Sequence, residues 1–192
     1  RVAEAHLQAG IELSPMAATY LGMPGRTDEI DDLSFDGLRA HRDLNRRTLD
    51  ALATLEPTDD VDKVTLAAMR ERLSLEVEGI DRTLEGKDPM ELNVIACPVQ
   101  SVRDVFDIMP KGSAEDWGTI TARLSAVGPA FEQYAESLAS SAAHGAVSPR
   151  RQVEKVAEQC ADQAGDASTF GALLTEAEEQ PEELRQDLAS AV

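Results

Sequence analysis

The chain has 192 residues, of which 42% are hydrophobic and only 4% aromatic, a composition typical of an aliphatic core between helices. Thirty-six acidic and 18 basic residues give a net charge of -18, which argues against a nucleic-acid partner and against binding to an anionic membrane surface. The sequence contains two cysteines and no apolar run long enough to span a bilayer, so we expect a cytoplasmic protein with reduced thiols and no membrane span. Because the sequence begins and ends within predicted helices, we expect a piece of a longer protein, and an export signal upstream remains an alternative.

The N-terminal third predicts three helices. Apolar residues recur at helical spacing over residues 2–13, and Ser14-Pro15 supplies a cap and first-turn proline for a short second helix that ends near Gly22. After an acidic turn region, Ser34 is expected to cap a long third helix, which Glu56-Pro57 closes.

The fourth predicted helix has the most regular pattern in the chain. It begins after Asp59-Asp60 and ends at Gly86. Its apolar positions alternate in steps of three and four and are Leu66, Met69, Leu73, Val77, Ile80 and Leu84. The stripe lasts less than three heptads, so we expect packing within a bundle rather than a coiled coil.

The second half continues the helical pattern after one short extended stretch, residues 93–98, where the residue before Pro98 is pushed away from helical dihedrals. A helix follows directly and ends at Pro110. Further helices are predicted to start at Ser113, Gly128, Ser148 and Pro181, with a short helical piece around residues 170–174. Without any strand pattern, repeat or linker, residues 1–192 are predicted to form a single all-α region, a multi-helix bundle of about eight helices.

Residues that commonly carry chemistry are sparse. His6, His41 and His144 are far apart, and none has a partner at the His-Glu-x-x-His spacing, so we interpret them as surface or packing residues and expect no metal in this chain. The many carboxylate pairs are explained by helix capping and solvation, with an acidic cleft for cationic ligands as the alternative. A basic stripe on the third helix is expected to pair with neighbouring carboxylates, and a substrate carboxylate is the alternative partner; it consists of Arg39, Arg42, Arg46 and Arg47.

The most specific feature is the segment from Asn93 to Met109, where an extended approach, a proline and a helix start bring polar groups together. We predict that Asn93, Gln100 and Arg103 face a substrate cleft. The alternative is that Asn93 satisfies the backbone of the loop and Arg103 pairs with a nearby acid. No catalytic residue is predicted.

The sequence from Asn93 to Pro110, Asn-Val-Ile-Ala-Cys-Pro-Val-Gln-Ser-Val-Arg-Asp-Val-Phe-Asp-Ile-Met-Pro, resembles the corresponding stretch of the bacterial family called domain of unknown function 885. The similarity covers nearly the whole chain. It extends to Thr19–Gly25, Asp60–Val64, Arg70–Leu73, Glu115–Trp117 and Arg150–Val153.

Members of this family are much longer, mostly helical proteins that resemble zinc metallopeptidases of the gluzincin type, with a His-Glu-x-x-His helix in their later half. The resemblance implies that residues 1–192 are the N-terminal helical part, which forms the wall or lid of a deep substrate channel. Zinc and the catalytic glutamate would then belong to the remainder of the same polypeptide, the partner of this region, and the substrate would be a peptide. The competing interpretations are a non-catalytic acidic helical module for protein interaction and a structural cover that stabilises its partner domain.

Overall fold

The computed structural model describes residues 1–165 and 168–192, and these residues form ten α-helices and no strand. The helices are α1 (Val2–Leu13), α2 (Pro15–Tyr20), α3 (Phe35–Ala53), α4 (Asp60–Leu84), α5 (Pro98–Ile108), α6 (Ala114–Ser125), α7 (Val127–Ala143), α8 (Arg150–Gln163), α9 (Thr169–Glu176) and α10 (Glu182–Ala191). The all-α prediction is confirmed, and the expected number of about eight helices fits, with α2 and α9 corresponding to the short second helix and the short helical piece that the sequence predicted. In the described residues, no helix is long and apolar enough to cross a membrane.

Helix starts follow the capping chemistry of the sequence in most places. The Ser14 hydroxyl accepts from the Ala17 amide at 3.2 Å, and Ser113 forms a capping box with Asp116. The sequence predicted that Ser148 caps α8, and this prediction is wrong. Helix α8 begins at Arg150, and its N-cap residue is Pro149, which forms no side-chain hydrogen bond. The start predicted at Gly128 lies one residue late, since α7 begins at Val127.

Three helices are followed by glycines of positive φ, Gly22 (63°), Gly86 (68°) and Gly145 (81°), and the sequence predicted the helix ends at the first two. At Gly86 the chain forms two closing hydrogen bonds, from the Gly86 amide to Thr83 O at 3.1 Å and from the Lys87 amide to Arg82 O at 2.9 Å. This turn requires the left-handed backbone that glycine adopts without a Cβ penalty.

The core is built around α5. Val102, Val105 and Phe106 of this helix are fully buried, and Trp117 and Ile120 of α6 pack into the same cluster. Phe106 contacts Phe170 of α9 edge to face, with ring centroids 5.5 Å apart. The segment predicted to carry the site therefore lies at the centre of the packing rather than at its margin.

The pair α3–α4 forms the periphery of the fold. Arg42 and Arg46 of α3 both pair with Asp81 of α4, at 3.6 and 2.6 Å, which confirms the expected carboxylate partner for these two arginines, whereas Arg39 pairs with Asp36 of its own helix. The buried Asn45 amide donates to Glu76 at 2.9 Å. Although α4 has 25 residues, only Leu73 of this helix is buried.

One buried cation joins distant parts of the chain. Arg123 of α6 is 0% exposed, and its guanidinium donates to Glu29 O at 2.9 Å, Thr19 Oγ1 at 2.9 Å and Pro15 O at 3.4 Å. Burial lowers the pKa of Arg123, and the nearby carboxylates of Asp31 and Asp28 oppose that shift. The side chain thereby fastens α2 and the loop that follows it to α6.

Gly37→Ala is expected to destabilise the fold by about 1–3 kcal/mol, because the new Cβ would lie 2.1 Å from the backbone oxygen of Asp32. Gly79→Ala is the matched control: its Cβ meets nothing within 4 Å, and alanine is favoured over glycine inside a helix by about 1 kcal/mol. Urea unfolding followed by circular dichroism measures both. Equal stabilities of the two variants would contradict the close approach at Gly37.

Arg123→Met removes the guanidinium while retaining an apolar stem of similar reach. We expect a loss of about 1–3 kcal/mol in the free energy of unfolding, because buried acceptors lose their donors. Arg72→Met, at an exposed arginine of α4, is the control and should change stability by no more than about 0.5 kcal/mol. Wild-type stability of the Arg123 variant in urea unfolding would show that the buried contacts are dispensable.

Candidate functional site

The loop from residue 91 to 97 is held in shape by Asn93. Its side-chain oxygen accepts from the amides of Ile95 and Ala96, at 2.9 and 2.7 Å. Its side-chain nitrogen donates to Ala96 O and to Glu91, both at 3.3 Å. Asn93 thus satisfies backbone groups of an irregular segment that has no helical partners of its own.

Gln100 connects this loop to α5 and to α8. Its side-chain oxygen accepts from the Cys97 amide at 2.8 Å, which completes a capping box at the start of α5. Its side-chain nitrogen donates to Gln159 of α8 at 2.7 Å. One glutamine therefore caps one helix and fastens it to another.

Two glutamines of α8 hold the main chain of the loop at a single residue. Gln152 accepts from the Val94 amide at 3.0 Å, and Gln159 donates to Val94 O at 3.2 Å. The two glutamines are seven residues apart, about two helical turns, so both lie on the face of α8 that meets the loop. Together with Gln100 they form what we call the glutamine clamp: Gln100, Gln152 and Gln159.

Arg103 has a different environment on α5. It pairs with the neighbouring Asp104, and Asp107 lies 4.0 Å away on the next turn. The Asp104 carboxylate raises the pKa of Arg103. Tyr20 lies beside this group and donates to Ser101 O at 3.0 Å, and its pKa is raised by burial and by Asp104 and Asp107.

The three predicted site residues are therefore not gathered on one surface by mutual contacts. Asn93 and Gln100 act on the same loop, whereas Arg103 pairs within its own helix. Asn93 and Arg103 have the structural roles that the sequence offered as the alternative, Gln100 has a capping role that the sequence did not offer, and contact with a substrate remains a prediction. Gln152 and Gln159 are not among the predicted site residues, and their seven-residue spacing on one face of α8 is the signal in the sequence that could have identified them.

Behind the loop, a buried polar cluster links α7 to the same region. The Tyr134 hydroxyl donates to Glu91 O, and burial raises the pKa of Tyr134. Cys97 is 1% exposed, Cys160 of α8 is exposed, and both are free thiols. Burial and the neighbouring Cys97 raise the pKa of Cys160.

A separate cavity of about 550 Å³ opens between α3, α4 and the two loops that precede α3 and α5. Apolar side chains and His41 contribute to its lining. Its carboxylates are Asp31, Asp32, Glu76, Asp88 and Glu91. The acidic cleft that the sequence raised as an alternative therefore has a concave counterpart in the fold.

The described residues do not fit a zinc site. Among them, no group of three or more histidines, cysteines or acids is placed to hold a metal ion. The His6 ring bonds with the Thr48 hydroxyl at 3.0 Å, and the His144 ring with Ser140 O at 2.8 Å. Both rings are thus used in local packing and capping.

The role of the glutamine clamp is testable by amide hydrogen exchange. Gln152→Met should accelerate exchange of the Val94 amide by roughly tenfold or more, since that amide loses its acceptor, and should leave Ile95 and Ala96 protected. Asn93→Ala should instead accelerate exchange of the Ile95 and Ala96 amides, which lose their acceptor, and should leave the Val94 amide protected. Uniform acceleration over the loop in both variants would mean that the two contacts do not act separately.

Comparison with known proteins places the chain in a family without describing its activity. Among curated proteins, none matches the chain. The sequence profile of a family described as "Bacterial protein of unknown function (DUF885)" matches residues 15–192, which is well over half of the sequence. The chain therefore belongs to the DUF885 family of bacterial proteins.

Proposed function

We propose that this chain is the N-terminal helical wall or lid of a longer bacterial protein that resembles zinc-dependent metallopeptidases. In this proposal the chain shapes and covers a peptide channel, and the metal and the catalytic glutamate lie in the remainder of the polypeptide. Family membership over residues 15–192 is consistent with the resemblance seen in the sequence. The observation that carries the proposal is an apolar face of α4 that this chain leaves exposed.

This outer face of α4 consists of residues separated by three, four and seven positions, which places them on one side of a helix. Val61 is 72% exposed, Val64 is 70% exposed and Leu75 is 57% exposed, and Ala68 and the exposed Arg72 lie between Val64 and Leu75 on the same side of the helix. The face points away from the stripe around Leu73 that packs towards α3. A helix that is apolar on two sides is typical of one covered on both sides.

The loop of residues 91–97 provides a second feature suited to a channel wall. Ile95 at its tip is 82% exposed, although the backbone on either side is held by Asn93 and the glutamine clamp. A rigid loop that presents one apolar side chain can contact an extended peptide without being reordered, so less conformational entropy is lost on binding. Arg103 would offer a cation along the same segment.

The test uses Leu75→Asp in two contexts, the 192-residue chain and the longer protein that contains it. In the chain alone we expect little change in Tm, since Leu75 is already in water. In the longer protein we expect a lower Tm and faster proteolysis of the N-terminal region, because a charge would enter a buried interface. Ser74→Asp, an exposed position of the same helix away from the face, is the control. If Leu75→Asp changes neither the Tm nor the proteolysis of the longer protein, the α4 face has no partner there and the proposed lid is refuted.

The enzymatic part of the proposal is tested separately. The longer protein should contain about one zinc per chain by metal analysis, and its peptide hydrolysis should be lost on chelation and restored by zinc. A metal-free preparation that hydrolyses no peptide would sink the peptidase assignment. If Asn93→Ala and Arg103→Ala alter stability but leave activity intact, this region is a structural cover instead.

A second candidate is a non-catalytic acidic module for protein interaction, which is favoured by the carboxylate-lined cavity and the net charge of -18. A cationic peptide such as oligolysine should then bind the 192-residue chain, with an affinity that falls as salt is raised. Glu76→Gln and Glu91→Gln together should weaken binding more than the same changes at two acids of α8, Glu154 and Glu158. Equal effects would indicate attraction to overall charge and not to this cavity.

A further inference from the structure

The two cysteines belong to neighbouring segments of the fold, although they are far apart in the sequence. Cys97 is the N-cap residue of α5, is 1% exposed and ends the loop that Asn93 organises. Cys160 lies on α8 and is exposed to solvent. Neither thiol is needed for the proposed lid or channel wall.

Hydrogen bonds of the glutamine clamp bring these two segments together. The Cys97 amide donates to the side-chain oxygen of Gln100 at 2.8 Å. The side-chain nitrogen of Gln100 donates at 2.7 Å to Gln159, and Gln159 directly precedes Cys160 in the sequence. Gln159 also holds Val94 O at 3.2 Å, three residues before Cys97. The chain on both sides of Cys97 is therefore fastened to the turn of α8 that carries Cys160.

The surroundings of Tyr134 show the same proximity from another direction. Its raised pKa is caused by burial first, and both Cys97 and Cys160 add to the shift. Burial and Cys97 likewise raise the pKa of Cys160. These shifts agree with the hydrogen bonds that hold the loop against α8, and Tyr134 itself meets the loop where its hydroxyl donates to Glu91 O.

We propose that Cys97 and Cys160 form an intramolecular disulfide when the chain meets a small disulfide such as oxidised glutathione, and that this bond locks the 91–97 loop onto α8. Cys160 reacts first because it is exposed, whereas Cys97 is buried. Oxidation of this pair is independent of the zinc chemistry and goes beyond the proposed function.

The reaction balances in two exchange steps. The Cys160 thiolate attacks one sulfur of oxidised glutathione, so that a mixed disulfide forms and one glutathione thiolate leaves. The Cys97 thiolate then attacks the Cys160 sulfur, the mixed disulfide breaks and a second glutathione thiolate leaves. The two protons released by the cysteines are taken up by the two glutathione thiolates. The chain is oxidised by two electrons, and the glutathione disulfide is reduced by two.

The physical consequence is a cross-link between the start of α5 and α8. Such a bond restricts the unfolded chain over a long loop, and its expected effect is a rise in Tm of roughly 5–10 °C. Exchange of the Val94 amide should slow by roughly tenfold, because opening of the clamp would no longer separate the loop from α8. Reduction should reverse both changes.

The experiment incubates the 192-residue chain with oxidised glutathione and identifies its disulfides by peptide mapping without reductant. The expected product is a monomer with one Cys97–Cys160 peptide pair, two moles of glutathione released per chain and no retained adduct. Cys97→Ser, which keeps an N-cap side chain, should stop at a glutathione adduct on Cys160. Cys160→Ser should form no adduct in the same time, because only the buried thiol remains.

Two outcomes would overturn the proposal. A wild-type chain that stops at the Cys160 adduct would show that Cys97 does not reach it. Dimers linked through Cys160 would show that the exposed thiol reacts between chains instead. Circular dichroism of each variant before oxidation establishes that it is folded, so neither result can be attributed to loss of structure.

Discussion

The buried guanidinium of Arg123 sets a constraint that much of the N-terminal architecture satisfies. A cation removed from water needs acceptors in fixed positions, and here they come from Pro15, Thr19 and Glu29. Those acceptors lie at the start and end of α2 and in the loop that leads to α3. The guanidinium thereby fixes the positions of α2 and of the loop at Glu29 relative to α6. In the described residues, no buried side-chain nitrogen or oxygen is left without a partner.

The same rule governs the loop before α5, but with neutral groups. Its backbone belongs to no helix, and side-chain amides take the place of the missing helical partners. Asn93 acts within the loop, Gln100 at the helix start, and Gln152 and Gln159 from α8. Because amide side chains both donate and accept, one glutamine can close a chain of bonds that an acid or a lysine would break. The loop is thereby fixed firmly enough to keep Ile95 in solvent.

Burial is distributed unevenly across the chain, and this unevenness motivates the proposed role. Around α5 and α6 the packing resembles a complete core, with Val102, Phe106 and Ile120 fully enclosed. In α4, by contrast, one apolar stripe is packed and a second is left in water. The chain is thus well packed around α5 and α6, whereas Val61, Val64 and Leu75 of α4 are exposed, and the proposed lid would cover them.

What the sequence by itself determined is the local structure. Caps such as Ser34 and Ser113, the glycines that end α2, α4 and α7, and the stripe of α4 predict the helices because these signals act within one or two turns. Even Asn93 and Arg103 behave as their local chemistry indicated, the first bonding its own loop and the second a neighbouring acid. Only the tertiary structure decided that Gln152 and Gln159 bond with the main chain of Val94, that Gln100 bonds with Gln159, and that Arg123 is buried. Those pairings join residues separated by tens of positions, and no local pattern encodes which helices become neighbours, because that choice depends on how all the apolar faces are buried together.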